Sequence, residues 1–232
     1  MENLNNLIRC DSEELPDHLL GVAIRLDADR KNPHSGVFIR YDKQNYIFHF
    51  TGKGDKVFLH PPTDNDWFFF KALTEVKYYI PSVYAHFRRI KRKSKPDYFY
   101  LYSGGAFDQN GDFTDTGTLP NYMTCVGFCL AVLKHSLTGI DLIQFEDWPA
   151  GILNGKSEDY VKNFYDVKIA PNYPDISFAK FSNDVRRITP LDYITAGFSS
   201  VIPVPKTFID NQKSSVKKEI YASIDNWKLK SL

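Results

Sequence analysis

The chain is short of cysteine, of net charge and of long apolar runs, and each shortage closes off a class of protein. Three cysteines are an odd number and too few for a disulfide framework. Lysine and arginine total 29 against 28 aspartate and glutamate, so the near-neutral chain has no general electrostatic attraction for nucleic acid. No apolar run reaches the roughly 18 residues of a membrane-spanning helix. The opening Met1-Glu-Asn-Leu-Asn-Asn6 lacks the charged segment and apolar run of a signal peptide, so a cytoplasmic location is expected. Repeats, low-complexity tracts and a composition break are also missing. A single domain over 1–232 is therefore expected.

What is plentiful is aromatic. There are 18 Phe and 14 Tyr, and 43% of the residues are hydrophobic, which suits an ordered α+β chain with a substantial sheet. Residues 1–17 are polar and read as irregular or as a short helix. Cys10 there is flanked by Asp11 and Glu13, which raise a thiol pKa. Leu19 to Leu26 reads as a strand, and a charged loop from Asp27 to Pro33 delivers the chain to His34. His34 to Tyr41 and Tyr46 to Phe50 alternate like the arms of a β-hairpin, with Asp42 to Asn45 as the turn. A four-residue loop sets Tyr41 opposite Tyr46 and Phe38 opposite His49. It also puts His34, Gly36, Phe38, Arg40, Ile47 and His49 on one face. Val57 to His60 is a third short strand, stopped by Pro61-Pro62.

Further along, 66–95 reads as mainly helical. It closes on Arg88-Arg-Ile-Lys-Arg-Lys-Ser-Lys95, six cations in eight residues, the pattern of a solvated helix end favoured by the dipole. Tyr98 to Tyr102 reads as a strand. The polar loop from Ser103 to Pro120 carries Asp108-Gln-Asn-Gly-Asp112. A calcium loop would need Gly where Phe113 stands and Glu where Leu119 stands, so a tight turn at Asn110-Gly111 is the better reading. Ile140–Phe145 and Ile176–Phe181 read as strands, and Val201–Val204 as an edge segment limited by Pro203. Ser157 and Thr189 are expected N-caps, the latter with Pro190 at the first helical position. The segment 213–229 reads as an amphipathic C-terminal helix with Val216, Ile220, Ile224 and Trp227 on its apolar face.

The chemistry gathers at Thr124-Cys-Val-Gly-Phe-Cys-Leu-Ala-Val-Leu133. Almost no polar face is left, so this is a buried helix, with Thr124 as its N-cap and Cys125 in the first turn. Unpaired backbone N–H groups and the helix dipole there favour a thiolate. Cys129, one turn on, reads as a packing residue. A histidine opening a hairpin strand and a cysteine heading a buried helix make a base and a nucleophile. His60 competes with His49 as the group that would orient His34.

His34-Ser-Gly-Val-Phe-Ile39, Tyr46-Ile-Phe-His49 and Thr124-Cys-Val-Gly-Phe128 together resemble the circularly permuted branch of the NlpC/P60 papain-like superfamily. That branch includes the lecithin retinol acyltransferase-like proteins and the bacterial permuted papain-like amidases. The resemblance implies an antiparallel sheet packed on a Cys-bearing helix. It also implies a cysteine hydrolase or acyltransferase working through a thioester, with Cys125 as nucleophile, His34 as base and His49 as its orienter. The substrate would be a peptide, another amide or an acylated molecule, with no metal or organic cofactor. Two further classes stay open. One is a catalytically inactive papain-like fold serving as a protein-binding module. The other is a zinc site built from His34, His49 and Cys125, for which no local ligand spacing speaks.

Overall fold

The computed structural model describes residues 3–26, 29, 31–52, 57–63, 68–74, 79–114, 122–151 and 158–230. Its centre is a six-stranded antiparallel sheet. The strands are β1 (Ile8–Arg9), β2 (Leu19–Arg25), β3 (His34–Tyr41), β4 (Gln44–Phe50), β5 (Val57–His60) and β6 (Phe68–Ala72), in the order β1-β6-β2-β3-β4-β5.

The β3–β4 connection is tighter than expected. Asp42 and Lys43 both take positive φ, 51° and 61°, and Tyr41 pairs directly with Gln44. This is a two-residue turn of the kind that matches strand twist. The register accordingly shifts, and Phe38 faces Ile47 rather than His49. A shift of two leaves every side chain on its expected face.

Each face of the sheet has its own cover. Val22 and Ile24 of β2, Val37 and Ile39 of β3, and Phe48 and Phe50 of β4 join the main core. On this side packs α2 (Cys125–Ser136), in which only Lys134 and His135 escape burial. Phe48 lies 4.6 Å from Phe87 of α1 (Ile80–Lys93) and 5.1 Å from Phe128, ring to ring. On the other face Phe38 stacks on Phe70 at 3.8 Å, beside Ala23, Ile47 and Phe68. The N-terminal segment covers them with Ile8, Cys10 and Leu15. That segment was expected to be irregular or helical. It is irregular, as expected, except at Ile8–Arg9, which adds the edge strand β1.

Phe68–Ala72 lies in the stretch expected to be helical, yet it is β6, between β1 and β2. It is buried on both faces, Phe69 in one core and Phe68 and Phe70 in the other. Such a strand shows no polar alternation. From Ile80 the expectation holds: α1 has Pro81 in its first turn and Lys91, Arg92 and Lys93 in its last, while 66–67 and 75–78 lie outside the described residues.

The expected strand at Tyr98–Tyr102 is confined to β7 (Asp97–Tyr98), parallel to Tyr122–Met123. The Asp108–Asp112 turn joins the two-residue strands Ala106–Phe107 and Phe113–Thr114, with the Asp108 carboxylate accepting from the Asn110 and Asp112 amides. Ile140–Phe145 contributes only one bridge, Ile143 to Val204.

Helix α3 (Glu158–Phe164) begins at the edge of the description, and its expected cap Ser157 lies outside it, as does the expected apolar contact of Trp227. Ile176–Phe181 was expected as a strand, but Phe178–Asp184 is helix α4, capped by Ser177, whose hydroxyl accepts from the Lys180 amide. Thr189 and Asp192 form a capping box on α5 (Pro190–Ala196). The last helix, α6 (Lys206–Lys230), buries Val216, Ile220 and Ile224. Among the described residues no helix is long and apolar enough to cross a membrane.

Candidate active site

Helix α2 starts where its sequence says it should. The Thr124 hydroxyl accepts from the Gly127 amide at 2.8 Å, so Cys125 is the first helical residue. Gly127 is what lets this end of the helix sit so low. A Cβ there would lie 2.7 Å from the Tyr102 ring.

The Cys125 thiol is buried, and its nearest polar partners come from β3. The Ser35 amide and hydroxyl and the Val126 amide act on the sulphur as nearby dipoles. Ser35 is fully buried, and its hydroxyl has no hydrogen-bond partner among the described residues. Burial pushes the Cys125 thiol up from its ordinary value. The Ser35 and Val126 amides, the Arg187 charge and the Ser35 hydroxyl pull it down by less. The helix-terminal thiolate expected from the sequence therefore gives way to a protonated thiol, because desolvation outweighs the local dipoles.

His34 is the residue before Ser35. Alternation along β3 points their side chains to opposite sides of the strand. The thiol thus approaches β3 from the Ser35 side, while the His34 ring packs 6.2 Å from Phe68, centre to centre. Among the described residues no hydrogen bond joins Cys125 to His34.

His34 and His49 are brought together as expected. His34 Nε2 lies 2.9 Å from His49 Nδ1. Beyond them, His49 Nε2 lies 3.1 Å from His60 Nε2, and His60 Nδ1 lies 2.7 Å from the Pro61 carbonyl. Arg25 of β2, paired with His34 across the strands, places its guanidinium 5.6 Å from the centre of the Phe68 ring. Burial and the Arg25 charge hold His34 down at about 4. Burial, His34, His60 and Arg25 hold His49 down at about 2. Both rings are neutral at physiological pH. Both nitrogens of His49 are spent on histidine partners, which is not the convergence a zinc ion needs.

Two features of the site had no signal in the sequence. Arg187 is half-buried, acts on the Cys125 thiol through its charge and donates to the Tyr100 carbonyl at 2.8 Å. Tyr98 and Tyr100, about 40% exposed, stand beside it with their rings 5.4 Å apart. Tyr98 is pushed up to about 12 by burial and by Cys125. These tyrosines and Arg187 form one wall beside the thiol. Of the expected wall, the loop Ser103–Pro120 before Cys125, residues 115–120 lie outside the described residues. The other cysteines are packing residues. Cys129 is fully buried against Tyr193, whose hydroxyl donates to the Gly36 carbonyl at 3.1 Å and so ties α5 to the His34 strand.

Comparison with protein-family models, curated proteins and solved structures finds no match to this chain.

Proposed function

We propose that the protein is a thiol-dependent acyl-transfer enzyme of permuted papain-like type, a cysteine hydrolase or acyltransferase acting on an amide, ester or thioester. One observation carries the reading. Among the described residues His34 uses Nε2 for His49 and has no bond at Nδ1, and the next residue, Ser35, acts on the Cys125 sulphur. A base oriented on one nitrogen and open on the other is the arrangement a thiol nucleophile requires.

The chemistry starts from a neutral pair. The thiol is raised and the imidazole lowered, so no thiolate–imidazolium pair is stored at rest. At rest the two side chains lie on opposite sides of β3, so the reading requires α2 and the start of β3 to rearrange until the thiol reaches His34 Nδ1. The S–H proton passes to Nδ1 as the sulphur attacks the carbonyl. The Cys125 backbone N–H at the start of α2 faces the developing oxyanion. His34 then protonates the leaving group, and water or an amine releases the acyl chain.

The test is intact-mass measurement after brief exposure to 4-nitrophenyl acetate. The wild type gains one acetyl group on Cys125. Cys125→Ala abolishes the adduct, and His34→Ala slows it by about 100-fold, the lower range of a general-base contribution. Acetylation of the wild type no faster than of His34→Ala overturns the proposal. The Ser35 contact with Cys125 would then carry the second reading, a binding module on this scaffold whose thiol is structural.

A further inference from the structure

We propose that His60 is a second positioning histidine, and that it decides which nitrogen of His34 serves as the base. The inference deepens the acyl-transfer reading, but its structural part stands without it.

The argument begins at a group that can only accept. The Pro61 carbonyl lies 2.7 Å from His60 Nδ1, so that nitrogen carries the hydrogen. A neutral His60 then has only a lone pair on Nε2. That lone pair faces His49 Nε2 at 3.1 Å, so His49 must donate from Nε2. His49 Nδ1 is left as an acceptor, and its partner at 2.9 Å, His34 Nε2, must donate. The lone pair of His34 is therefore on Nδ1. Every link follows from the one before, starting from the hydrogen bond to the proline carbonyl.

The relay crosses the sheet. His34, His49 and His60 lie on the adjacent strands β3, β4 and β5, with Arg25 facing His34 from β2. His49 is fully packed, flanked by Phe58 at 5.4 Å and Phe68 at 5.5 Å, so its ring is held in place. His60 is half-buried at the outer end. When His34 Nδ1 takes the thiol proton, its Nε2 proton can shift to His49 Nδ1 and the His49 Nε2 proton to His60 Nε2. The positive charge then moves from the buried centre, next to Arg25, toward the rim, with no net gain or loss of protons.

A donor-only side chain in place of His60 reverses the order. It would give a hydrogen to His49 Nε2, which moves the His49 hydrogen to Nδ1. That hydrogen points at His34 Nε2 and leaves the His34 hydrogen on Nδ1, where a base is needed. An acceptor at the same place preserves the order.

The experiment is nitrogen-15 NMR of the histidine rings at pH 7.5 in the full chain, wild type against His60→Gln, His60→Arg and His60→Lys, with the acetylation rate of Cys125 measured alongside. The wild type and His60→Gln are expected to show His34 and His49 protonated on Nε2. His60→Arg and His60→Lys, folded by circular dichroism, are expected to show both protonated on Nδ1, with acetylation at least 10-fold slower than in His60→Gln. A wild-type His34 protonated on Nδ1, or a His34 tautomer unchanged in both cationic variants, overturns the relay. Tautomers that follow this pattern in a protein that is never acetylated uphold the relay and remove the acyl-transfer reading alone.

Discussion

A thiol in the first turn of a buried helix is pulled in two directions, and the outcome rests on a few neighbours. Amide dipoles and Arg187 favour the thiolate at Cys125, while the surrounding core disfavours it more strongly. Arg187→Gln removes the one full charge among the described residues that favours the thiolate. The midpoint of Cys125 alkylation by iodoacetamide against pH should move upward, and an unchanged midpoint would mean the guanidinium is too well screened to matter. Thr124 contributes through geometry. Its hydroxyl holds the Gly127 amide, so Thr124→Ala is expected to cost about 1 kcal/mol in urea denaturation. The Thr–Cys junction was readable in the sequence because capping is local. The role of Ser35 was not, since it depends on which side of β3 meets α2.

At the scale of elements, the hairpin shows what a sequence can and cannot specify. Alternation in His34–Tyr41 and Tyr46–Phe50 fixed the two faces, and with them the meeting of His34 and His49. Register depends on the turn, and Asp42-Lys43 is not an obvious two-residue turn because lysine seldom takes positive φ. Lys43→Gly should therefore raise stability by about 0.5 kcal/mol, relief of the left-handed backbone exceeding the entropy glycine adds to the unfolded chain. A lower melting temperature for this variant would count against the turn geometry. Two of the misread elements failed for related reasons. Phe68–Ala72 is buried on both faces and carries no period. Ile176–Phe181 alternates like a strand, yet Ser177 caps a helix there. His60 was visible only as a rival to His49, because its place in the relay needs the pairing of β4 with β5.

At the scale of the whole molecule, burying neutral histidines makes acid the weak side of the fold. His34 and His86 are held at about 4 and His49 at about 2, against an ordinary 6.5, with burial the largest cause in each. His86 on α1 donates from Nε2 to the Asp108 carbonyl at 2.7 Å, and its buried Nδ1 has no partner among the described residues. Between pH 6 and 5 the unfolded chain protonates all three rings and the folded chain almost none. The stability they contribute is present above 6.5 and is lost as pH falls toward 4. Each ring costs about 1 kcal/mol per pH unit in that window, and the three together about 3 to 4. His86→Leu removes one of them far from the site. Its urea-derived stability should fall less steeply between pH 6 and 5 than the wild type's, by about 1 kcal/mol per unit, whatever its offset at pH 7.5. An identical slope would mean that His86 takes up a proton while folded, and that the core around it is wetter than its packing indicates.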